Sequence, residues 1–264
     1  MPPRGNDWLA LTAEPTLEPE VPICDPHHHF WEQRPEPVDY QRYLLEDLAG
    51  DINSGHNVRS TVFVEARSSY RTEGPEELRS VGEVEFVQRL ADASATGQYG
   101  SGRAAAGIIG RADLKLGERV GPVLEALQAA SPNRFRGVRH AVGWDPHPDL
   151  PDREVQGCLA RDDFRAGVTV LAGMGLCLEI TNYFPQMPEL AAFAKGMPGL
   201  SIVLNHLGGL MRVGPYANRH DEVTAEWRTG IDAVADFPNI VMKLGAVGMP
   251  RFGFDWHSRA KPIG

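Results

Sequence analysis

The chain has 264 residues, 42% of them hydrophobic and 23% charged, with a formal net charge of −9 from 26 Lys+Arg against 35 Asp+Glu. That balance excludes the broad basic footprint of a nucleic-acid binder, and no apolar run approaches the ~20 residues of a membrane span. Length and composition suit a soluble globular chain the size of one β/α barrel.

Met1–Glu20 is rich in Pro and Glu. With no apolar signal-peptide core, it is expected to be a disordered tail ahead of a single domain over 21–264. A first apolar run then leads into Ile23-Cys24-Asp25-Pro26-His27-His28-His29. Tyr40–Leu48 reads as a short helix and Arg59–Glu65 as a second strand. Arg67–Gly74 reads as a polar loop. Pro75–Ala95 reads as a long helix, with Leu78, Val81, Val84, Val87, Leu90 and Ala91 near helical spacing. Ala104–Ile109 is the third strand and Val120–Ala130 the next helix. Phe135–His140 is a short fourth strand ending in Arg139 and His140, and Val155–Leu171 holds two short helices. Gly175–Ile180, Leu200–His206 and Asn239–Leu244 are strands five to seven. Between them lie helices at Pro188–Lys195 and Glu222–Phe237 and a mobile loop, Leu210–His220, carrying Arg212 and Tyr216.

Seven strands alternating with helices predict a parallel sheet of the TIM-type (β/α)8 barrel kind. Only about twenty residues follow Leu244, and Arg251–Gly264 shows no strand pattern. The barrel is therefore expected to be truncated after strand 7, with strand 8 missing. The edges of strands one and seven would stay unpaired, which leaves room for a homo-oligomer. Cys24, Cys158 and Cys177 are odd in number and far apart. Read as reduced, buried thiols, they point to a cytoplasmic protein.

Side chains alternate faces along a strand, so His27 and His29 point the same way, with Asp25 on that face one step deeper. Two neutral imidazoles on one face can share a divalent cation. A His-x-His pair alone is a weak signal, and its bland reading is a strand-end pair bonded to backbone. Its place at the end of the first strand favours the site reading, because parallel barrels carry their chemistry at the C-terminal ends of strands. His28 alternates to the other face and reads as structural.

Four segments, Asp25–Trp31, Phe135–His140, Leu204–Gly209 and Asn239–Gly245, together resemble the amidohydrolase-related metal-dependent hydrolases. More narrowly they resemble the branch of the sugar-acid lactonases and the 2-pyrone-4,6-dicarboxylate lactonase. The resemblance runs from about Ile23 to Trp256. It implies that His27 and His29 are the strand-one pair, His206 the strand-six histidine and Arg139 a substrate-binding arginine. The family's strand-eight aspartate, its base towards water, has no counterpart, since Asp255 falls in the loop after strand seven. No lysine stands in Val138-Arg139-His140, where binuclear relatives place a bridging one. One divalent metal, zinc first, is therefore the implied cofactor, and a metal-free route with histidines on the substrate is its alternative.

The implied activity is hydrolysis: opening a small anionic lactone by attack of activated water. His27, His29 and His206 are the catalytic and metal-binding set, and Arg139, Arg212, Tyr216 and Glu65 the substrate-binding set. Glu65 also reads as an acceptor orienting a histidine, or as an ordinary strand-end acid. A decarboxylase on the same kind of barrel is the runner-up, and a truncated, non-catalytic remnant the rival from another class. With no strand-eight carboxylate, the 264-residue chain is expected to be weakly active. The expected partner is a small anionic substrate, drawn by Arg67, Arg139 and Arg212; no nucleic acid and no membrane are expected. His140, His220 and His257 have no role in this reading. Trp144 and Trp256 read equally as lid packing or substrate stacking.

Overall fold

The computed structural model describes residues 6–34, 41–148, 150 and 154–262. The chain divides into two compact units. One is Met1–Ala112 with Pro122–Arg136 and Arg259–Gly264; the other is Asp113–Gly121 with Gly137–Ser258.

In the first unit β1 (Ile23–His28), β2 (Val58–Val64) and β3 (Arg103–Gly110) pair in parallel in sequence order. Helices α1 (Leu45–Ile52) and α2 (Val81–Ala95) link them, and α3 (Gly121–Ala130) follows β3. The β1–β2 register shifts between Asp25 and His28, where Pro26 has no N–H for the ladder. The β2–β3 register shifts between Ser60 and Val62. Nearby, Ala105 takes φ 49° and its N–H donates to Thr61 Oγ1 at 2.9 Å, so a side chain satisfies the donor there.

Helix α1 begins later than the expected Tyr40. Trp31 and Tyr43 exchange two backbone bonds of 2.9 Å. These hold the chain extended to Leu44, whose N–H is capped by the Asp47 carboxylate at 2.8 Å. Tyr40 itself lies outside the described residues. Helix α2 begins at Val81 rather than Pro75, after a separate 3-10 turn at Glu76–Leu78. Its Val81, Val84, Val87 and Ala91 are buried, as the spacing predicts. Ahead of β1, Asn6–Leu9 forms one helical turn, and Trp8 Nε1 donates to the Arg259 carbonyl at 3.2 Å.

In the second unit β4 (Phe135–Ala141), β5 (Cys177–Thr181), β6 (Ile202–Leu204) and β7 (Ile240–Met242) are parallel neighbours in sequence order. Helices α4 (Asp162–Gly173), α5 (Met187–Lys195) and α6 (His220–Ala235) alternate with them. The register places Arg139, Glu179, Val203 and Val241 side by side on one face, and His140, Ile180, Leu204 and Met242 on the other. The second face is covered by helices: His140 stacks edge-on against Phe164 of α4, with 5.0 Å between ring centres, and Ile180 and Leu204 are fully buried.

This is the β/α alternation of a TIM-type barrel, with seven strands among the described residues. From Lys243 to Pro262 the only regular elements are 3-10 turns at Pro250–Phe252 and Trp256–Ser258. No described helix is long and apolar enough to cross a membrane. The segment expected as a mobile loop is packed. Leu210 and Met211 join Leu150, Tyr183, Phe184, Val223 and Phe252 in one apolar cluster, with Val213 and Tyr216 against it. The expectation of three buried thiols holds for Cys158 alone. Cys24 is exposed and Cys177 half-buried, all three being free. Cys24 alternates to the face of Pro26, at the start of β1, before that face becomes covered at His28.

Helix α4 rests on the Leu114–Val120 segment through Gly167, where a β-carbon would lie 2.1 Å from the Leu114 carbonyl oxygen. Gly167→Ala is expected to destabilise the protein by about 1–3 kcal/mol through overpacking. Gly173→Ala, with nothing within 4 Å of its added carbon, should be neutral or stabilising by up to about 1 kcal/mol. Urea denaturation of the two variants checks this, and equal midpoints would show that the contact is not close-packed.

Candidate functional site

In the first unit the end of β1 brings His27 and His29 together, with their Nε2 atoms 3.2 Å apart. His29 Nδ1 lies 2.7 Å from the Val64 carbonyl oxygen. A carbonyl only accepts, so Nδ1 carries the proton and, in the neutral ring, Nε2 keeps its lone pair. The Asp25 carboxylate accepts the His27 backbone N–H at 3.1 Å and fixes the turn of chain beneath the ring. Two imidazole nitrogens on one tetrahedral zinc, each roughly 2.0–2.1 Å from it, lie about 3.3 Å apart. The observed spacing fits that demand.

His28 faces the other way, buried against Phe30 and Phe63 with ring centres at 4.7 and 5.8 Å. Burial, helped by the neighbouring His29, pushes its pKa down to about 3. Glu65, just past β2, is buried and close enough to Tyr70 to help raise that phenol's pKa, after burial and the Glu83 charge. The acceptor at His29 Nδ1 is the backbone carbonyl one residue before it.

In the second unit a polar cluster sits on the face that carries Arg139. Lys243 Nζ donates to Glu179 Oε1, and Asn205 Nδ2 donates to Glu179 Oε2 at 3.2 Å. All three side chains are buried. Burial pulls the Lys243 pKa down, Glu179 opposes this, and Arg139 adds to the lowering. One carboxylate therefore stands between two cations. Sequence reasoning missed Glu179, Asn205 and Lys243. Each is a polar residue in or at the end of an apolar strand run, but only the register between strands brings them to one face with Arg139.

His206 follows Asn205 in a left-handed turn, with φ of 54° at both His206 and Leu207, then 66° and 70° at Gly208 and Gly209. Positive φ in a histidine and a leucine is costly, of order 1–3 kcal/mol each, and such strain concentrates at functional positions. The glycines carry the rest of the turn; a β-carbon on Gly209 would lie 1.9 Å from the Asn182 carbonyl oxygen. Leu207 N–H donates to the Lys243 carbonyl at 3.1 Å, and Trp227 Nε1 donates to the Leu207 carbonyl at 2.7 Å, pinning the turn. Tyr216 donates its hydroxyl to Asp145 Oδ2 at 2.6 Å, and burial followed by this bond raises its pKa. Arg212 donates to Thr224 Oγ1 at 2.7 Å and lies 4.8 Å over the Phe254 ring. Asp255 is exposed.

On the helix-covered face, His140, Glu154 and Cys158 offer ligand atoms all within 4.8 Å of one another. Bonds from His140 first, then Lys115, hold the Glu154 pKa down to about 2 against burial; burial, then the Glu154 charge, pushes Cys158 up to about 12.

The model of the amidohydrolase family matches residues 24–263. Protein y4mH of Sinorhizobium fredii is 28% identical over 91% of this chain and 77% of its own length. The L-fucono-1,5-lactonase of Burkholderia multivorans is 23% identical over 84% of this chain and 67% of its own. Among solved structures, a zinc-bound amidohydrolase from Burkholderia multivorans superposes with a TM-score of 0.65 at 24% identity, covering 91% of this chain and 75% of that one. A probable 2-pyrone-4,6-dicarboxylic acid hydrolase from Acinetobacter baumannii, with citric acid bound, gives 0.53 at 15% identity, covering 85% and 70%.

Two outcomes follow from this chemistry. Glu179→Gln leaves a buried lysine without its carboxylate and should cost about 3–5 kcal/mol, while the double variant Glu179→Gln/Lys243→Met should recover much of that loss. Additive losses in a denaturation cycle would mean the pair is not coupled. For His28 the folded pKa lies below the unfolded one. The unfolded chain then binds the extra proton, and stability falls as pH drops from about 6.5 towards 3, by on the order of 1.4 kcal/mol per pH unit. His28→Phe should flatten that part of the curve; an unchanged slope would place the proton uptake elsewhere.

Proposed function

We propose, for a chain that belongs to the amidohydrolase family, that its reaction is hydrolysis of a small anionic lactone. The observation that carries the reading is the His27–His29 pair, preset at a spacing suited to one divalent metal ion. The lactonase and dicarboxylate-hydrolase names among the relatives support the substrate class, and the zinc-bound relative supports the metal.

His27 and His29 would hold the metal through their Nε2 atoms, with His29 oriented by the Val64 carbonyl. When bound, the metal polarises a carbonyl and makes water acidic enough to attack at neutral pH. His206 is the third histidine of this assignment. In the overall reaction, water oxygen bonds to the acyl carbon and the ring C–O bond breaks. The ring oxygen takes up a proton, and the product is a hydroxy carboxylate. Without metal, His29 Nε2, which accepts from His27 Nε2 at 3.2 Å, would exchange that partner for water to take up the proton.

Arg139 supplies the recognition of charge. It stands on β4 beside Glu179 of β5, and its planar guanidinium suits a carboxylate or similar anion. Arg212 and Tyr216 are assigned to shaping the substrate side through their bonds to Thr224 and Asp145. Glu65, buried just past β2, is assigned to the substrate side.

The test is a panel of paired lactones, with and without a carboxylate, assayed after metal removal and after zinc return. His27→Ala, His29→Ala and His206→Ala should each lower kcat/KM by about 10²-fold or more, in the range for losing water activation. Arg139→Met should raise KM for the anionic member by roughly 10–100-fold, with little change for the neutral one. Undiminished turnover in the double variant His27→Ala/His29→Ala would overturn the assignment of the metal pair. Equal effects of Arg139→Met on both lactones would overturn the anion contact.

A further inference from the structure

We infer that His140, Glu154 and Cys158 form a second metal site, a three-ligand zinc site on the helix-covered face of β4 whose fourth position is left to water. It does not depend on the reading of the β1 histidines. The three residues bring an imidazole, a carboxylate and a thiol within 4.8 Å of one another. That mixture of nitrogen, oxygen and sulfur donors selects zinc over magnesium or calcium. The donors are sheltered: His140 and Cys158 are buried, and the Glu154 side chain is 9% exposed.

His140 Nε2 is 3.2 Å from Glu154 Oε2, while the ring's Nδ1 is buried with no hydrogen-bond partner among the described residues. A buried ring nitrogen without a partner is a donor or acceptor left over, and a metal ligand set uses one nitrogen while the other is bonded. The same Glu154 oxygen accepts from Lys115 Nζ at 2.7 Å. Lys115 is thus the cation now paired with the carboxylate, and its side chain, 32% exposed, has water to turn into. Donors on one tetrahedral zinc sit about 3.3–3.7 Å apart, so closing the site needs only small side-chain rotations. On binding, the Cys158 thiol gives its proton to solvent, Lys115 leaves Glu154, and thiolate plus carboxylate balance the divalent charge.

The three ligands come from different places in the fold: His140 from β4, Cys158 from the 3-10 turn at Cys158–Ala160 that leads into α4, and Glu154 from the segment between them. A metal there ties that segment to the strand, and binding to the folded state alone would raise Tm.

Cobalt(II) titration of the purified, metal-free 264-residue chain tests this, because a thiolate ligand gives an ultraviolet charge-transfer band that histidine and carboxylate do not. The band should appear with wild type and remain in His27→Ala/His29→Ala, which also keeps one bound equivalent. It should remain in Cys24→Ser and Cys177→Ser, vanish in Cys158→Ser and weaken in Glu154→Gln. Lys115→Met, which removes the competing cation, should bind cobalt roughly 10-fold or more tighter, the scale of a supporting residue's effect on a metal site. No thiolate band in wild type, or an undiminished band in Cys158→Ser, would overturn the site. Near-ultraviolet circular dichroism of each variant separates lost binding from lost fold. If Cys158→Ser does not fold, Glu154→Gln decides: a band as strong as in wild type counts against the assignment.

Discussion

The bond from His29 Nδ1 to the Val64 carbonyl oxygen fixes the chemistry at the end of β1. It joins the first two strands at their C-terminal ends, chooses the tautomer of His29 and aims Nε2 at His27. The Val64 carbonyl is a backbone group whose position is set by β2, so the ring is held by the sheet rather than by a flexible side chain. His28, between the two, is turned into the apolar layer of Phe30 and Phe63. The same alternation that pairs its neighbours removes it from them. One short run of sequence thus supplies both a pair of facing imidazoles and a piece of core.

The second unit solves a different problem. Glu179, Asn205 and Lys243 are buried on adjacent strands, where an unpaired charge would be expensive. Their mutual bonds make the burial tolerable and hold charge at a defined place beside Arg139. The left-handed turn at His206–Gly209 stores strain at the end of β6. It is kept there by the bonds of Leu207 to Lys243 and Trp227.

Much of this was legible in the sequence. Periodicity located every strand and the helices between them, because each strand is a short apolar run and each helix an amphipathic one. The errors lie at ends. Strands β6 and β7 are shorter than their apolar runs suggest, since His206 leaves extended geometry and β7 contributes only Ile240–Met242. Helix α1 starts late because Tyr43 is engaged by Trp31. The His27–His29 pair was readable because alternation along one strand is a local property. The Glu179–Asn205–Lys243 cluster was not, because it depends on the register between strands, which no local pattern states. The association of His140 with Glu154 and Cys158 was hidden for a similar reason: two of its members lie outside the strands, at spacings no local pattern states.

The most direct test of the β1 assignment is anomalous diffraction at the zinc edge from crystals of the zinc-loaded 264-residue chain. The expected result is a peak between His27 Nε2 and His29 Nε2, with His29 Nδ1 still bonded to the Val64 carbonyl. Zinc bound elsewhere in the crystal, with no peak at that pair, would contradict the assignment.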